Sequence, residues 1–190
     1  MFRSLILVLL AALWLSGCSG MRLVDSEVRS FASATLVPAG ARYRFERLPS
    51  QQADEAAQTQ LETLAQQALD KVGLQRDEAA PGYSVQVAFG MRVDRHSPWL
   101  PPENGWGLGW TLGGGRHTSL IMMAPPYYWR QVSLILRDLR TQQVAYETHA
   151  AHDGPWSDTT ELLPAMLDAA LQGFPNPPPG LRRITIETPR

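Results

Sequence analysis

From Tyr83 the chain reads YSVQVAFGMRV, and Tyr83, Val85, Val87, Phe89, Met91 and Val93 fall on alternate positions. Ser84, Gln86 and Arg92 stand between them, so one face is apolar and the other mostly polar. Successive side chains of a strand point to opposite faces, so this period of two predicts a half-buried β-strand. WRQVSLILRDL and QQVAYETHAA follow and flank the polar turn Arg140-Thr141-Gln142. They predict a β-hairpin, although the turn lacks the usual Asn-Gly or Asp-Gly. Upstream, ARYRFERL alternates Tyr43 and Phe45 with Arg42, Arg44 and Glu46, a shorter strand. VRSFASAT ahead of it is its candidate pairing partner.

Two segments carry a helical period instead. Between Asp54 and Val72, Leu61, Leu64, Ala65, Ala68, Leu69 and Val72 fall at i, i+3, i+4, i+7, i+8 and i+11. Gln and Glu residues cover the opposite face, and Gly73 stands where a C-terminal cap belongs. In SDTTELLPAMLDAALQGF, Leu163, Met166, Leu167, Ala170, Leu171 and Phe174 form a second stripe. Asp158 and Glu161 have the spacing of a capping box, and Pro164 is read into the first turn, where a missing N–H is tolerated. PNPPPG stops this helix, and LRRITIET is a candidate edge strand. The order β-β-α-β-β-β-α, with an optional closing strand, predicts an α+β fold: a mostly antiparallel sheet with two helices packed on one face.

Between the two central strands lies RHSPWLPPENGWGLGWTLGGGRHTSLIMMAPPYYWR, a Gly/Pro/Trp-rich loop at about 94–128. Trp99, Trp106, Trp110, Tyr127, Tyr128 and Trp129 make it a candidate binding surface for a sugar, a lipid or a partner protein. The competing reading folds these rings back over the sheet, since each carries a large apolar area. Gly107-Leu108-Gly109 and Gly113 do not form a phosphate loop, because no Gly-Lys-Ser/Thr follows. No cofactor is expected.

The amino end has its own pattern. Arg3 precedes the unbroken apolar run Leu5 to Leu15, and Ser16-Gly17-Cys18 follows. That is the order of a secretory signal peptide, and the run is shorter than the roughly 20 residues a membrane-spanning helix needs. Leu15-Ser16-Gly17-Cys18 also matches the bacterial lipobox, in which the cysteine thiol receives a diacylglycerol and the signal is cut just before it. Cys18 is the only cysteine of the chain, and it reads as the lipidation site. Residues 1–17 are then the signal peptide, 18–27 the lipidated anchor and short linker, and 28–190 one domain with a Pro-rich C-terminal tail. Ser19, rather than Asp, follows the cysteine, which favours the periplasmic face of the outer membrane over the inner membrane.

Loss of Arg3 takes the basic residues from 17 to 16 against 18 acidic ones, a net charge near −2. That balance argues against nucleic acid and against attraction to bulk anionic lipid. The expected partners are the membrane, through the N-terminal lipid, and an envelope protein or glycan. Catalytic patterns are thin. His149-Ala-Ala-His152-Asp153 offers two imidazoles, but positions three apart on a strand face opposite sides. They could share a metal only if the strand ended before His152, with His96 or His117 as third ligand. Glu161 and Asp168, seven apart on the second helix, read as a solvated face. There is no Gly-x-Ser-x-Gly elbow either. The sequence therefore favours a non-enzymatic binding or scaffold module. The alternatives are a metal-dependent hydrolase built on His149 and His152, and a peptidoglycan-binding module using the loop tryptophans.

The lipobox LSGCS, the strand ARYRFERLPS, the passage ALDKVGLQRDEAAPGYSVQVAFG, the hairpin SLILRDLRTQQVAYE and the terminal GFP occur in one order through most of the mature chain. In that order they resemble the "domain of unknown function 4136" family of bacterial lipoproteins. Members of the family carry a Gly- and aromatic-rich insert between the central strands, as this chain does. It departs from them in lacking the usual Trp in ARYRF, and in having Ala145-Tyr146 where Val-Trp is common. The family has no established activity, so the resemblance implies a fold and an envelope location and no reaction.

Overall fold

The computed structural model describes residues 21–94 and 127–189. The elements are β1 Met21–Ala32, β2 Arg42–Phe45, α1 Pro49–Gln52, α2 Glu55–Lys71, β3 Gln75–Arg76, β4 Tyr83–Asp94, β5 Tyr127–Asp138, β6 Val144–Gly154, α3 Thr159–Leu171 and β7 Leu181–Pro189. They form an α+β fold around a seven-stranded sheet of order β3-β2-β4-β5-β6-β1-β7. The sheet is mixed. β2 runs parallel to both β3 and β4, while every other pair is antiparallel. The parallel step from β2 to β4 is made through α1 and α2, since such a crossover needs a long connection.

The strand order corrects the expected pairing. β1 does not lie beside β2 but between β6 and β7, at the other side of the sheet. Alternation reports which side chains face the core and says nothing of which strand lies alongside, so a nearby run was the wrong neighbour. β1 also starts at Met21 rather than near Val28. The closing segment is a true edge strand, β7, paired with β1 from Met21↔Pro189 to Arg29↔Leu181. The one-turn α1 and the two-residue β3 are too short to leave a period in the sequence.

The core lies between the sheet and one layer of helices. α2 packs on β4, α3 packs on β1, β5, β6 and β7, and the two helices touch each other. On the helix side of the sheet Val24, Val28, Val85, Val87, Val132, Leu134, Leu136, Tyr146 and Ala150 are fully buried. α2 ends as the sequence suggests. Gly73 has φ +83°, its N–H meets the Asp70 carbonyl at 3.0 Å, and the Leu74 N–H meets the Leu69 carbonyl at 3.1 Å. This is a Schellman closure, with buried Leu74 packed where the motif places its apolar contact.

Other details differ from expectation. Gln58 and Glu62 belong to the predicted polar face of α2 but are drawn inward. Arg47 grips Glu62 with both prongs, Nε to Oε1 and Nη2 to Oε2 at 2.7 Å each, and the Gln58 amide donates to Glu62 Oε1 at 3.2 Å. Burial alone would raise the Glu62 pKa, yet these hydrogen bonds outweigh it and hold the carboxyl below its ordinary value. α3 is buried nearly all round, because the sheet lies on one side and α2 on another. Asp158 is its N-cap residue but its side chain makes no capping bond, and Pro164 sits inside the helix rather than in its first turn.

Two substitutions separate packing from ion pairing. Leu69→Ala removes a fully buried side chain and is expected to lower stability by about 2–5 kcal/mol at any pH where the fold persists. Arg47→Ala leaves a buried carboxylate without its cation, so it is expected to be strongly destabilising at neutral pH. Because the Glu62 pKa is depressed in the fold, its contribution is present above the unfolded value of about 4.3 and is lost as pH falls. Urea midpoints of wild type and Arg47→Ala should therefore converge on acidification, while those of wild type and Leu69→Ala should not.

Candidate functional site

Five strands bring their ends to one edge of the molecule. Met21 of β1 pairs with Pro189 of β7, Tyr128 of β5 with Gly154 of β6, and Asp94 of β4 with Tyr127 of β5. The antiparallel pairing of β1 with β6 puts the start of β1 at this same end, here called the rim. α3 also begins there, since Thr159 Oγ1 lies 3.5 Å from the Met91 sulfur.

The three aromatic residues that open β5 lie on the rim but do not share a face. Trp129 lies on the side without helices, opposite Arg92, whose guanidinium sits 4.2 Å from the indole centroid. Tyr127 is on that side too; its hydroxyl donates to Asp153 Oδ2 at 2.8 Å, and this bond pushes its phenol pKa up. Tyr128 points to the helix side, 5.0 Å beneath the Arg130 guanidinium. A single platform made of all three is therefore not what the backbone allows. Trp99, Trp106, Trp110, His96 and His117 lie outside the described residues, as does Cys18.

Arg130 dominates the helix side of the rim. It is 0% exposed. Nε donates to Thr159 Oγ1 at 2.9 Å and Nη2 donates to the Trp156 carbonyl, but Nη1 has no partner among the described residues. Burial lowers the pKa of this guanidinium. Beside it Arg22 holds Asp158 through both nitrogens, at 2.5 and 3.2 Å, and lies 5.2 Å over the Trp156 ring. The Arg22 hydrogen bond pulls the Asp158 pKa down to about 2. Reasoning from the sequence missed Arg22, Arg130 and Trp156. Arg130 was findable, because it shares the alternating phase of Val132, Leu134 and Leu136 and so had to point into the core.

The histidines are kept apart. β6 runs unbroken through Gly154, so His149 and His152 face opposite sides of the sheet. His149 Nε2 lies 2.7 Å from Glu147 Oε1 on the side without helices. His152 Nδ1 donates to the Asp25 carbonyl at 2.6 Å on the other side, which assigns the proton to Nδ1. The condition for a shared metal, a strand ending before His152, is not met. Among the described residues no group of three His, Cys, Asp or Glu could hold a metal ion.

A cavity of about 550 Å³ opens between the helices and β4, lined by Leu48, Gln51, Gln58, Leu61, Phe89 and Leu163. Its size suits a small ligand. Two of its amides are committed: Gln51 and Gln58 both donate to the Val87 carbonyl, at 2.7 and 3.2 Å. The polar side chains that remain in its lining are Ser50, Asp54, Gln60 and Thr160.

Residues 27–176 match the family described as "Domain of unknown function (DUF4136)". The chain belongs to this family. The DUF4136 match spans the sheet from within β1, through α3, to the turn that follows it. No curated protein matches the chain. Among solved structures, a PDZ domain protein from Parabacteroides distasonis aligns with a TM-score of 0.52 and 12% identity, over 93% of this chain and 41% of that one. The chain thus spans less than half the length of that protein. At such identity the likeness shows a shared fold alone. Two PelC dodecamers from Paraburkholderia phytofirmans align with TM-scores of 0.41 and 0.45 at 10% and 12% identity, over 77% and 80% of this chain and 94% and 99% of theirs.

The Arg22–Asp158 pair gives the rim a pH signature. A depressed carboxyl pKa contributes stability above the unfolded value of about 3.9 and loses it as pH falls towards about 2. Titration of the Asp158 carboxyl by NMR is expected to show a midpoint of about 2, moving up towards about 3.9 in Arg22→Ala.

Proposed function

We propose that this DUF4136 protein is a lipid-anchored module of the bacterial envelope, held at the periplasmic face of the outer membrane, that binds or scaffolds an envelope component without catalysing a reaction. One conjunction carries the reading. The lipobox cysteine, Cys18, stands only Ser19 and Gly20 ahead of β1, and β1 starts at the rim. Both stems of the aromatic segment, Asp94 and Tyr127, are at that rim as well. A lipid on Cys18 would therefore hold the aromatic-bearing end of the fold beside the membrane. The acyl chains of such an anchor exceed the two signals that stable attachment requires. The hydrolase alternative lacks support, since the two imidazoles it needs face apart.

Cys18→Ser tests the reading directly. Incorporation of labelled palmitate should fall to background, and the precursor should keep its signal sequence, because the thiol carries the lipid. Wild-type protein should fractionate with outer membranes. Normal processing of Cys18→Ser would overturn the anchor.

A further inference from the structure

The rim inverts the usual placement of side chains. Along the helix side of β4, Val85 and Val87 are 0% exposed, but Met91 and Val93, in the same phase, are 47% and 48% exposed. α3 begins at the level of Met91, so the apolar lane runs on past the layer that covers it. Met21 at 58%, Leu23 at 61% and Trp156 at 51% are open at the same end. Two arginines flank aromatic rings there, Arg22 over Trp156 and Arg92 over Trp129. Met21 and Leu23 lie on the face without helices and Met91 and Val93 on the other, so both faces of the sheet are left apolar at this one end, the mark of an end that meets something other than water.

The tether says what that is. Whatever path Ser19 and Gly20 take, the three residue steps from Cys18 to Met21 reach at most about 11 Å. An acylated Cys18 thus leaves the rim no room to turn far from lipid headgroups. We propose that the rim docks on the phospholipid bilayer, with Leu23, Met91, Val93 and Trp156 at the boundary between headgroups and acyl chains and the strands standing on the membrane. The inference rests on the proposed lipidation of Cys18. Indoles settle at that boundary, and the stem of an arginine such as Arg92 lies along apolar surface while its guanidinium reaches phosphate; Arg22 is already held by Asp158. The net charge near −2 of the mature chain makes bulk attraction to anionic lipid unimportant, so the orientation should persist at high salt.

The test uses the full lipidated protein, reconstituted in vesicles of phosphatidylethanolamine and phosphatidylglycerol. Single nitroxide labels are placed through Leu23→Cys and Val93→Cys at the rim, and through Leu36→Cys and Val144→Cys at the far end. All four positions are 39–61% exposed, so a label disturbs little packing. Met91→Cys replaces either rim site if that variant misfolds. Oxygen collects in the bilayer and a nickel chelate stays in water, so the ratio of their collision rates reports depth. The ratio is expected to be several-fold higher at both rim sites than at both far sites, in low and high salt alike. Equal ratios at all four sites would overturn docking. Rim labels shielded from both reagents would place a second copy of the chain there and overturn it too. Mass spectrometry of the same sample separates the two proposals. Acylated Cys18 with a wet rim sinks docking and leaves the anchor standing, whereas unmodified Cys18 sinks both.

Discussion

One run of hydrogen bonds ties the last strand, the first strand, the hairpin and the final helix together. Arg182 Nη2 on β7 donates to Ser30 Oγ on β1 at 3.1 Å, and Thr148 Oγ1 on β6 donates to the Ala170 carbonyl of α3 at 2.7 Å. Ser30 and Thr148 are themselves 2.8 Å apart. A hydroxyl has one proton to give, and Thr148 gives its own to Ala170, so Ser30 must donate to Thr148. Every hydroxyl in the run is thereby satisfied in one direction, which buried polar groups require. β1 sits in the middle of it. Without β1, β7 has no neighbour and β6 loses one side of its ladder.

That placement has consequences at the rim. β1 stays with β7 as far as Met21↔Pro189, but its pairing with β6 stops at Glu27↔Ala151. Beyond that pair β1 leaves β6, and the Asp25 carbonyl is met not by a backbone N–H but by the His152 imidazole. A polar cleft of about 260 Å³ opens in the split, lined by Asp25, Ser26, Glu27, His152, Asp153 and Arg183. His152 is thus a structural substitute for a missing ladder bond, which accounts for a buried histidine without recourse to a metal. The split also frees the first residues of β1 on one side, close to where the lipid would be.

Much of this was legible from the chain, and what was not has a physical reason. The period of two in YSVQVAFGMRV and the period of 3.6 across Leu61 to Val72 each depend on neighbours within one element, and both elements are where the pattern put them. The position of β1 depends on pairings with residues more than a hundred positions away, such as Val28↔Ala150, and no local pattern encodes them. α3 starts after Asp158 as its capping-box spacing suggests, but the capping bond is absent because Asp158 answers to Arg22, distant in sequence, rather than to its own helix. Glu62 looked like a surface residue for the same reason: its burial is explained by Arg47, in the connection between β2 and α1. In each case a long-range partner overrode a local preference. The aromatic segment was legible as unusual and no further.

The rim also shows why charge and exposure have to be considered together. Met91 and Arg130 are cross-strand partners on the same side of the sheet, yet the methionine is 47% exposed and the arginine 0%. In water this is the unfavourable arrangement twice over, since apolar area is left wet and a cation is desolvated with no carboxylate bonded to it among the described residues. Arg130 is partly compensated by Thr159 and the Trp156 carbonyl, which lock the start of α3 and the loop before it against β5. The buried cation therefore acts as an internal brace that fixes where Trp156 stands. Beside a bilayer the other half of the penalty changes sign, because Met91, Val93 and Trp156 gain from leaving water. The same arrangement that is costly for a free domain is thus suited to a domain held at a lipid surface. It places the charge behind the apolar side chains rather than among them, where hydrocarbon would oppose it.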